Sequence, residues 1–252
     1  MDMSSEKKFK YTTEVFILVG YLLFFCLAFI LFYFFLMSIF LKRPIPPINT
    51  FATSLPATTP IPHMSSAVQL EGNRIFEDDF SSDKYNWTNN NSKFREDVSD
   101  GRLLFESKLQ NSYAIAKCGL CPYLKEPYYI QADFSTTTVT DGSFGIVFNF
   151  SRNDNSFFLF LINTESKKYY IYHQAAYNWS LRASGESEQI APFPAINNLG
   201  VYAGSDTAEF YINEKFVDSI TESKYPFQFG YFSFYVDNYD FKLVVDNLVL
   251  TK

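Results

Sequence analysis

The sequence predicts an all-β fold, a two-sheet antiparallel sandwich at residues 73–252, preceded by one transmembrane α-helix at residues 15–41. Three features of the chain support this prediction. A long uncharged apolar run lies near the N-terminus, a proline-rich stretch follows it, and the remainder contains short aromatic runs separated by Asn, Asp, Gly and Ser. Short runs of this kind are typical of strands, and no helical period is found after residue 73.

The apolar run extends from Val15 to Leu41 without a charged residue. At about 1.5 Å per residue, a helix of this length exceeds the roughly 30 Å hydrocarbon core of a bilayer. The run is longer than the apolar region of a cleaved signal peptide, and Lys42, Arg43 and Pro44 follow it instead of a small-residue cleavage site. We therefore expect an uncleaved signal anchor.

The basic residues beside this run predict its orientation. Lys7, Lys8 and Lys10 precede it, whereas two basic residues follow it and none then occurs until Arg74. Because Lys and Arg are enriched on the cytoplasmic side, we expect a short cytoplasmic tail at residues 1–14 and a single-pass protein of the cell membrane. The C-terminal domain would then be extracytoplasmic.

Residues 42–72 are predicted to be a linker rich in Pro, Thr and Ser. Six prolines lie between Pro44 and Glu71, which favours an extended, semi-rigid spacer. The chain has a net charge of −6, and since its first 43 residues are net positive by two, the remainder has a net charge of −8. An acidic domain repels phosphate backbones, so nucleic acid is not expected as a partner.

Cys118 and Cys121 form a single C-x-x-C sequence. A thioredoxin-type site would need a following helix, and a zinc site would need two further ligands where the chain offers only His63 and His173. A disulfide and a pair of reduced thiols remain. The disulfide is favoured for an exported domain.

Alternation along the strands predicts which side chains face the other sheet. In the strand at 143–151, Phe144, Ile146, Phe148 and Phe150 should point inward. In the strand at 168–174, Tyr169 and Ile171 should point inward, so that Tyr170 and Tyr172 share the outer face with Asn149. Twelve strands are predicted in this way, at residues 74–80, 102–108, 112–117, 128–137, 143–151, 157–163, 168–174, 199–203, 208–212, 216–220, 229–236 and 241–250.

The order of several segments resembles a known family. These segments are IFEDDFSS at 75–82, DGRLLF at 100–105, SFGIVFNFSRNDNSFFLFLI at 143–162, EFYINEKFVDSI at 209–220, FQFGYFSFYV at 227–236 and FKLVVDNLVL at 241–250. Together they resemble the concanavalin A-like (laminin-G-like) jelly-roll domains, near the family-16 glycoside hydrolases and the 3-keto-disaccharide hydrolase-like domains, on a bacterial membrane anchor. The resemblance implies two curved antiparallel sheets that often bind carbohydrate.

Catalysis is not expected. Retaining glycosidases need two carboxylates roughly 5.5 Å apart, and the family-16 enzymes carry them on one strand as E-x-D-x-x-E. The nearest match begins at Glu77 but has Ser82 in place of the second Glu. We therefore expect a lectin-like domain without catalysis, for which a structural or protein-docking envelope module and a divergent glycoside hydrolase are the alternatives.

The candidate ligand is a glycan or cell-surface polysaccharide. Aromatic rings pack against the C–H faces of sugars, while polar side chains bind the hydroxyl groups. A strand and the loop after it concentrate such residues. The candidate binding residues are Asn149, Tyr170, Tyr172, His173, Tyr177 and Trp179.

Two further expectations concern ions and modification. No cofactor is required, although the resemblance implies a structural Ca²⁺ where the first strand meets the last, for which Asp78, Asp79 and Asp246 are the candidate ligands. N-x-S/T sequons occur at Asn86, Asn90, Asn149 and Asn178. Sugars at Asn149 and Asn178 would obstruct the proposed binding face in a host that glycosylates.

Overall fold

The structure of the protein is a computed structural model. It describes residues 72–108, 112–137, 142–153, 155–222, 226–238 and 241–252. All of these residues belong to one unit of the chain, Asn49–Lys252. The predicted tail, the predicted membrane helix and residues 42–71 of the predicted linker lie outside the described residues. The described residues form no helix with the length and apolar character needed to span a membrane.

The described residues form fifteen strands and no helix, which confirms the predicted all-β class. The strands are β1 (Arg74–Asp78), β2 (Asn89–Asn90), β3 (Phe94–Ser99), β4 (Arg102–Ser107), β5 (Tyr113–Ile115), β6 (Tyr128–Thr136), β7 (Ser143–Ser151), β8 (Ser156–Asn163), β9 (Lys168–Ala175), β10 (Asn178–Glu186), β11 (Asn197–Ala203), β12 (Thr207–Ile212), β13 (Lys215–Thr221), β14 (Tyr231–Asp237) and β15 (Lys242–Thr251).

Two antiparallel sheets contain these strands. The larger sheet has nine strands in the order β13-β12-β11-β6-β15-β4-β3-β2, with β1 paired to β15, and the smaller sheet has six in the order β10-β9-β8-β7-β14-β5. The last strand therefore pairs with the first, and β14 lies between β7 and β5. Such pairing of distant strands is expected for a jelly-roll sandwich.

The main core fills the space between the sheets, as the alternation predicts. Phe144, Ile146 and Phe148 of β7 and Tyr169 and Ile171 of β9 all belong to it. Each is less than a tenth exposed. Since burial of a large apolar side chain is worth about 1.5–3 kcal/mol, these inward-facing residues supply much of the driving force for folding.

A bulge in β7 changes the predicted faces of two residues. The register with β8 shifts between Phe148 and Ser151, and Asn149 has a positive φ of 51°. One extra residue in a strand reverses the alternation beyond it. As a result, Phe150 packs on the outer side of the sheet and not in the main core, which corrects the prediction for this residue.

Besides the two-residue β2, two strands of the structure were not predicted from the sequence. The strand β3 reads FREDVS, and β10 reads NWSLRASGE, most of which is exposed or half-buried. Both sequences are polar because these strands lie at or next to sheet edges. An edge strand buries few side chains, so it lacks the apolar alternation that identifies a strand in a sequence.

Candidate functional site

The outer face of the six-stranded sheet carries a second apolar cluster, separate from the main core. Its buried members are Val147, Phe157, Leu159, Leu161, Tyr170, Tyr172 and Tyr235, and its half-buried members are Tyr113, Ile115, Phe150 and Trp179. The strand pairing aligns these residues on one face, because Tyr172 of β9 is opposite Leu159 of β8 and Leu181 of β10. We call this surface the aromatic face.

Trp179 of β10 is at the centre of the aromatic face. Its ring centroid lies 5.6 Å from that of Phe157 and 5.9 Å from that of Tyr172, with both pairs nearly perpendicular. Tyr235 follows at 6.4 Å. Edge-to-face ring pairs at these distances are favourable, by about 0.5–1.5 kcal/mol each beyond their buried area.

Tyr113 joins this cluster from the opposite edge of the sheet. Its ring centroid lies 5.4 Å from that of Trp179 and 5.5 Å from that of Tyr235. Strands β5 and β10 are separated by five inter-strand steps, which amount to roughly 24 Å in a flat sheet. The two rings can meet only if the sheet curves around them, so the aromatic face is concave and its middle is filled by side chains.

Burial raises the pKa of two tyrosines in this cluster. Burial, and secondarily the neighbouring Tyr170 and Asp237, raise the pKa of Tyr172 to about 12. Burial and Asp237 together raise the pKa of Tyr235 well above its ordinary value. A phenol is already neutral at physiological pH, and burial keeps these two hydroxyl groups neutral in more alkaline solution as well. The Asp237 carboxylate accepts a hydrogen bond from the Ser143 backbone N–H.

A two-residue turn between β9 and β10 forms one rim of the aromatic face. Ala176 and Tyr177 have positive φ angles of 47° and 65°, as expected for the central residues of a type I′ hairpin turn. The Tyr177 side chain is 58% exposed, and Leu181 on the next strand is 40% exposed. The exposed Tyr177 ring is therefore only two residues away from the half-buried Trp179 in the sequence.

Two of the predicted binding residues lie away from the aromatic face. His173 pairs with Phe158 and stacks on its ring at 4.3 Å, so it faces the main core. Alternation along β9 requires this, because His173 is adjacent to the outward-facing Tyr172. The Asn149 side-chain amide donates a hydrogen bond to the carbonyl of Pro226, and the β7 bulge places Phe150 on the aromatic face. The prediction that Asn149 shares one outer face with Tyr170 and Tyr172 is therefore corrected. His173, a candidate binding residue, faces the main core.

The three candidate calcium ligands have local hydrogen-bond partners. The Asp78 carboxylate is buried and accepts hydrogen bonds from Trp87 Nε1 at 2.9 Å and the Phe80 backbone at 3.0 Å. The Asp79 carboxylate accepts a hydrogen bond from the Ser81 backbone N–H, and the Asp246 carboxylate accepts one from the Asn247 backbone N–H. Across the described residues, no three His, Cys, Asp or Glu side chains are grouped so as to hold a metal ion. The Ca²⁺ site therefore stays a prediction.

Cys118 and Cys121 are joined in a disulfide, with Cα atoms 5.5 Å apart. The loop that they close is fastened to its surroundings by backbone hydrogen bonds from Gly119 to Asn86 and from Leu120 to Tyr85. The disulfide therefore belongs to a rigid loop that leads into β6.

Sequence reasoning missed several members of the aromatic face, among them Tyr113, Phe157 and Tyr235. Phe157 and Tyr235 occur in runs of aromatic residues where both faces of the strand are apolar, so alternation does not separate them. Tyr113 lies in a strand of three residues. The pairing of β5 with β14 is the information that would have identified it, and this pairing spans more than a hundred residues of sequence.

Carboxylates are few on the central strands of this face. The outward residues of β7, β8 and β9 include the apolar Val147, Leu159, Leu161, Tyr170 and Tyr172, and the polar Gln174 is opposite Phe157 on the same face. Asp237, at the end of β14, is the acidic residue that influences the pKa of this cluster. A retaining glycosidase would need a carboxylate pair about 5.5 Å apart here.

Comparisons with known proteins bear on the fold. No protein-family model matches the chain, and no curated protein matches it. A Bacillus subtilis protein of unknown function with a galectin-like fold is similar with a TM-score of 0.56 and 14% identity, over 72% of this chain and 96% of its own. The beta-glucanase of Bacillus licheniformis is similar with a TM-score of 0.50 and 8% identity, over 70% of this chain and 97% of its own.

The catalytic domain of an endo-1,3-beta-glucanase (laminarinase) from Thermotoga petrophila gives a TM-score of 0.50 at 7% identity, over 72% of this chain and 98% of its own. At such low identities these likenesses bear on the fold alone. They agree with the two antiparallel sheets described above, and the described residues of this chain have the concanavalin A-like jelly-roll fold.

Proposed function

We propose that this protein is a membrane-anchored, extracytoplasmic carbohydrate-recognition protein that performs no catalysis. The observation that carries the proposal is the convergence of Tyr113, Phe157, Tyr172 and Tyr235 on the ring of Trp179, on the concave face of one sheet. These rings fill the middle of the face, so a sugar would pack at its rim, on the half-buried Trp179 and the exposed Tyr177. A Trp ring held by four others is rigid, and rigidity lowers the entropic cost of binding.

The chemistry of this face suits a sugar. A pyranose ring has an apolar C–H face that packs on aromatic rings, while its hydroxyl groups need hydrogen-bond partners. Tyr177 is exposed at the rim, and its hydroxyl group can both donate and accept hydrogen bonds. Two proteins of similar fold are named as glucanases, so a β-glucan is a reasonable first ligand to test.

Binding without hydrolysis is proposed because the central strands of the aromatic face present apolar side chains, and because the E-x-D-x-x-E sequence of the related hydrolases is missing. The anchor is proposed from the uncharged run at residues 15–41. With its N-terminus in the cytoplasm, such a protein would present the aromatic face to a cell-surface polysaccharide or to an envelope protein.

Binding is tested with the full-length protein in detergent on a glycan array and on β-glucans. The chain has two Trp residues, and Trp87 is fully buried, so a fluorescence change on binding would report on Trp179. We expect Tyr177→Ala to weaken retention by about tenfold, and Trp179→Phe to remove the fluorescence response.

Phe193→Ala is the matched control, since this ring is 37% exposed in a different loop and should leave retention unchanged. If the wild-type protein binds no glycan, or if Tyr177→Ala binds as well as the wild type does, the aromatic face is not a sugar site. The anchor is tested separately, since mature protein from the membrane fraction should still begin before residue 15.

A further inference from the structure

A second exposed group of side chains lies apart from Trp179, around the ring of Tyr231 at the start of β14. Tyr123, in the loop between the disulfide and β6, contacts this ring with centroids 5.1 Å apart and planes at 75°. Arg152, at the end of β7, places its guanidinium carbon 4.0 Å from the Tyr231 centroid. We call these three residues the Arg152 patch.

The Arg152 patch is open to solvent. Tyr123 is 46% exposed, Arg152 is exposed and Tyr231 is half-buried. Because the Tyr123 and Tyr231 rings are nearly perpendicular, the guanidinium that covers one face of Tyr231 does not cover the Tyr123 ring in the same way. The patch therefore offers an aromatic surface next to a positive charge.

Arg152 has no acidic partner among the carboxylates that the structure describes. The described ion pairs join other residues, namely Arg74–Glu77, Arg95–Asp97, Lys167–Glu188, Lys168–Glu186, Arg182–Glu222 and Lys252–Glu126. An Arg side chain is permanently charged and presents a planar set of donors that matches a carboxylate. Stacking on the Tyr231 ring orients the guanidinium but occupies none of its N–H donors.

The patch is also rigid. Leu124 and Gly230 exchange two backbone hydrogen bonds, of 2.9 and 3.1 Å, which join the Tyr123 loop to the start of β14. Gly230 has a positive φ of 118° and packs so closely on the β7 bulge that a Cβ atom would lie 2.7 Å from the Asn149 carbonyl carbon. The Cys118–Cys121 disulfide closes the other end of the loop.

We propose that the Arg152 patch binds an acidic sugar, a uronic acid unit of a polysaccharide. The apolar face of the sugar would pack on Tyr123, and its carboxylate would accept hydrogen bonds from the Arg152 guanidinium. Three side chains cover far less than the roughly 800 Å² per partner of a stable protein interface, which favours a single sugar unit over a protein.

The test uses the full-length protein in detergent and oligogalacturonate, with a neutral galactan oligomer of the same length for comparison. We expect oligogalacturonate to bind and the galactan to bind far less. Arg152→Gln should weaken oligogalacturonate binding by at least about tenfold, because a charge-assisted bidentate contact is lost. Tyr123→Ala should weaken it too, and Arg152→Lys should restore only part of the affinity because the planar fork is missing.

Arg102→Gln is the matched control, since Arg102 is an exposed arginine on β4 whose replacement removes the same charge elsewhere. The proposal is overturned if the wild-type protein does not bind oligogalacturonate, or if Arg102→Gln weakens binding as much as Arg152→Gln does. Trp179→Phe separates this proposal from the proposed function. Loss of oligogalacturonate binding in Trp179→Phe but not in Arg152→Gln would assign the acidic sugar to the aromatic face.

Discussion

The rings of Tyr113 and Trp179 are 5.4 Å apart, although β5 and β10 are the opposite edges of the six-stranded sheet. The contact closes the concave face over its centre. Ring contacts between the two edges therefore stabilise the curvature of the sheet as well as the cluster itself.

We expect Trp179→Ala to lower the free energy of unfolding by about 2–3 kcal/mol, because four ring contacts are lost and a cavity remains. Leu181→Ala, on the same strand but 40% exposed, should cost less than about 1 kcal/mol. Urea unfolding of the full-length protein in detergent measures both values. Equal losses for the two variants would contradict a central packing role for Trp179.

The hydrogen bond from Trp87 Nε1 to the buried Asp78 carboxylate provides a second prediction. Trp87→Phe leaves one carboxylate oxygen without this donor, in a site where burial already raises the pKa of Asp78. The loss of packing and of the hydrogen bond should cost about 2–4 kcal/mol. Trp179→Phe removes the same atoms at a half-buried site and should cost about 1 kcal/mol or less. Thermal or urea unfolding would refute the prediction if the order were reversed.

Glu96 predicts a dependence of stability on pH. It is fully buried, its Oε1 accepts the Lys117 backbone N–H at 3.0 Å and its Oε2 has no partner. Burial raises its pKa from 4.5 to about 8. The folded protein therefore retains a proton that the unfolded chain releases, so the contribution of Glu96 to stability is highest below pH 4.5 and declines as the pH rises towards 8.

The decline attributable to Glu96 should be roughly 4 kcal/mol by pH 8. Glu96→Gln keeps the shape of the protonated acid and cannot ionise, so it should flatten the stability profile between pH 5 and 8 and be more stable than the wild type at pH 8. Glu106→Gln, on the neighbouring strand, is the control. A profile for Glu96→Gln that falls as steeply as that of the wild type would show that another group is responsible.

Gly230→Ala should destabilise the protein and disturb the Arg152 patch. A Cβ atom at this position would collide with the backbone of the β7 bulge, and the φ of 118° is unfavourable for alanine. We expect a loss of about 2 kcal/mol or more and weaker oligogalacturonate binding. Gly101→Ala is the control, because Gly101 also has a positive φ but its Cβ would meet no atom closer than 3.9 Å. Its cost should be about 1 kcal/mol, with binding unchanged.

The alternation of apolar residues was sufficient to predict the class of fold, the inward face of β9 and the inward face of β7 as far as its bulge. It placed Phe144, Ile146 and Phe148 in the main core, where the structure has them. It also placed Tyr170 and Tyr172 on the outer face. These assignments succeed because successive side chains in a strand point to opposite faces, which is a local property of the backbone.

Other features depend on contacts between residues distant in sequence. Because of the bulge in β7, Phe150 and not Asn149 faces the outer side of the sheet. The Trp179 ring, on which four other rings converge, lies on the polar edge strand β10. The meeting of Tyr113 with Trp179 requires the order and curvature of six strands. Alternation describes one strand at a time, whereas strand order and curvature result from the packing of the whole sheet, so the folded chain was needed to locate both proposed sites.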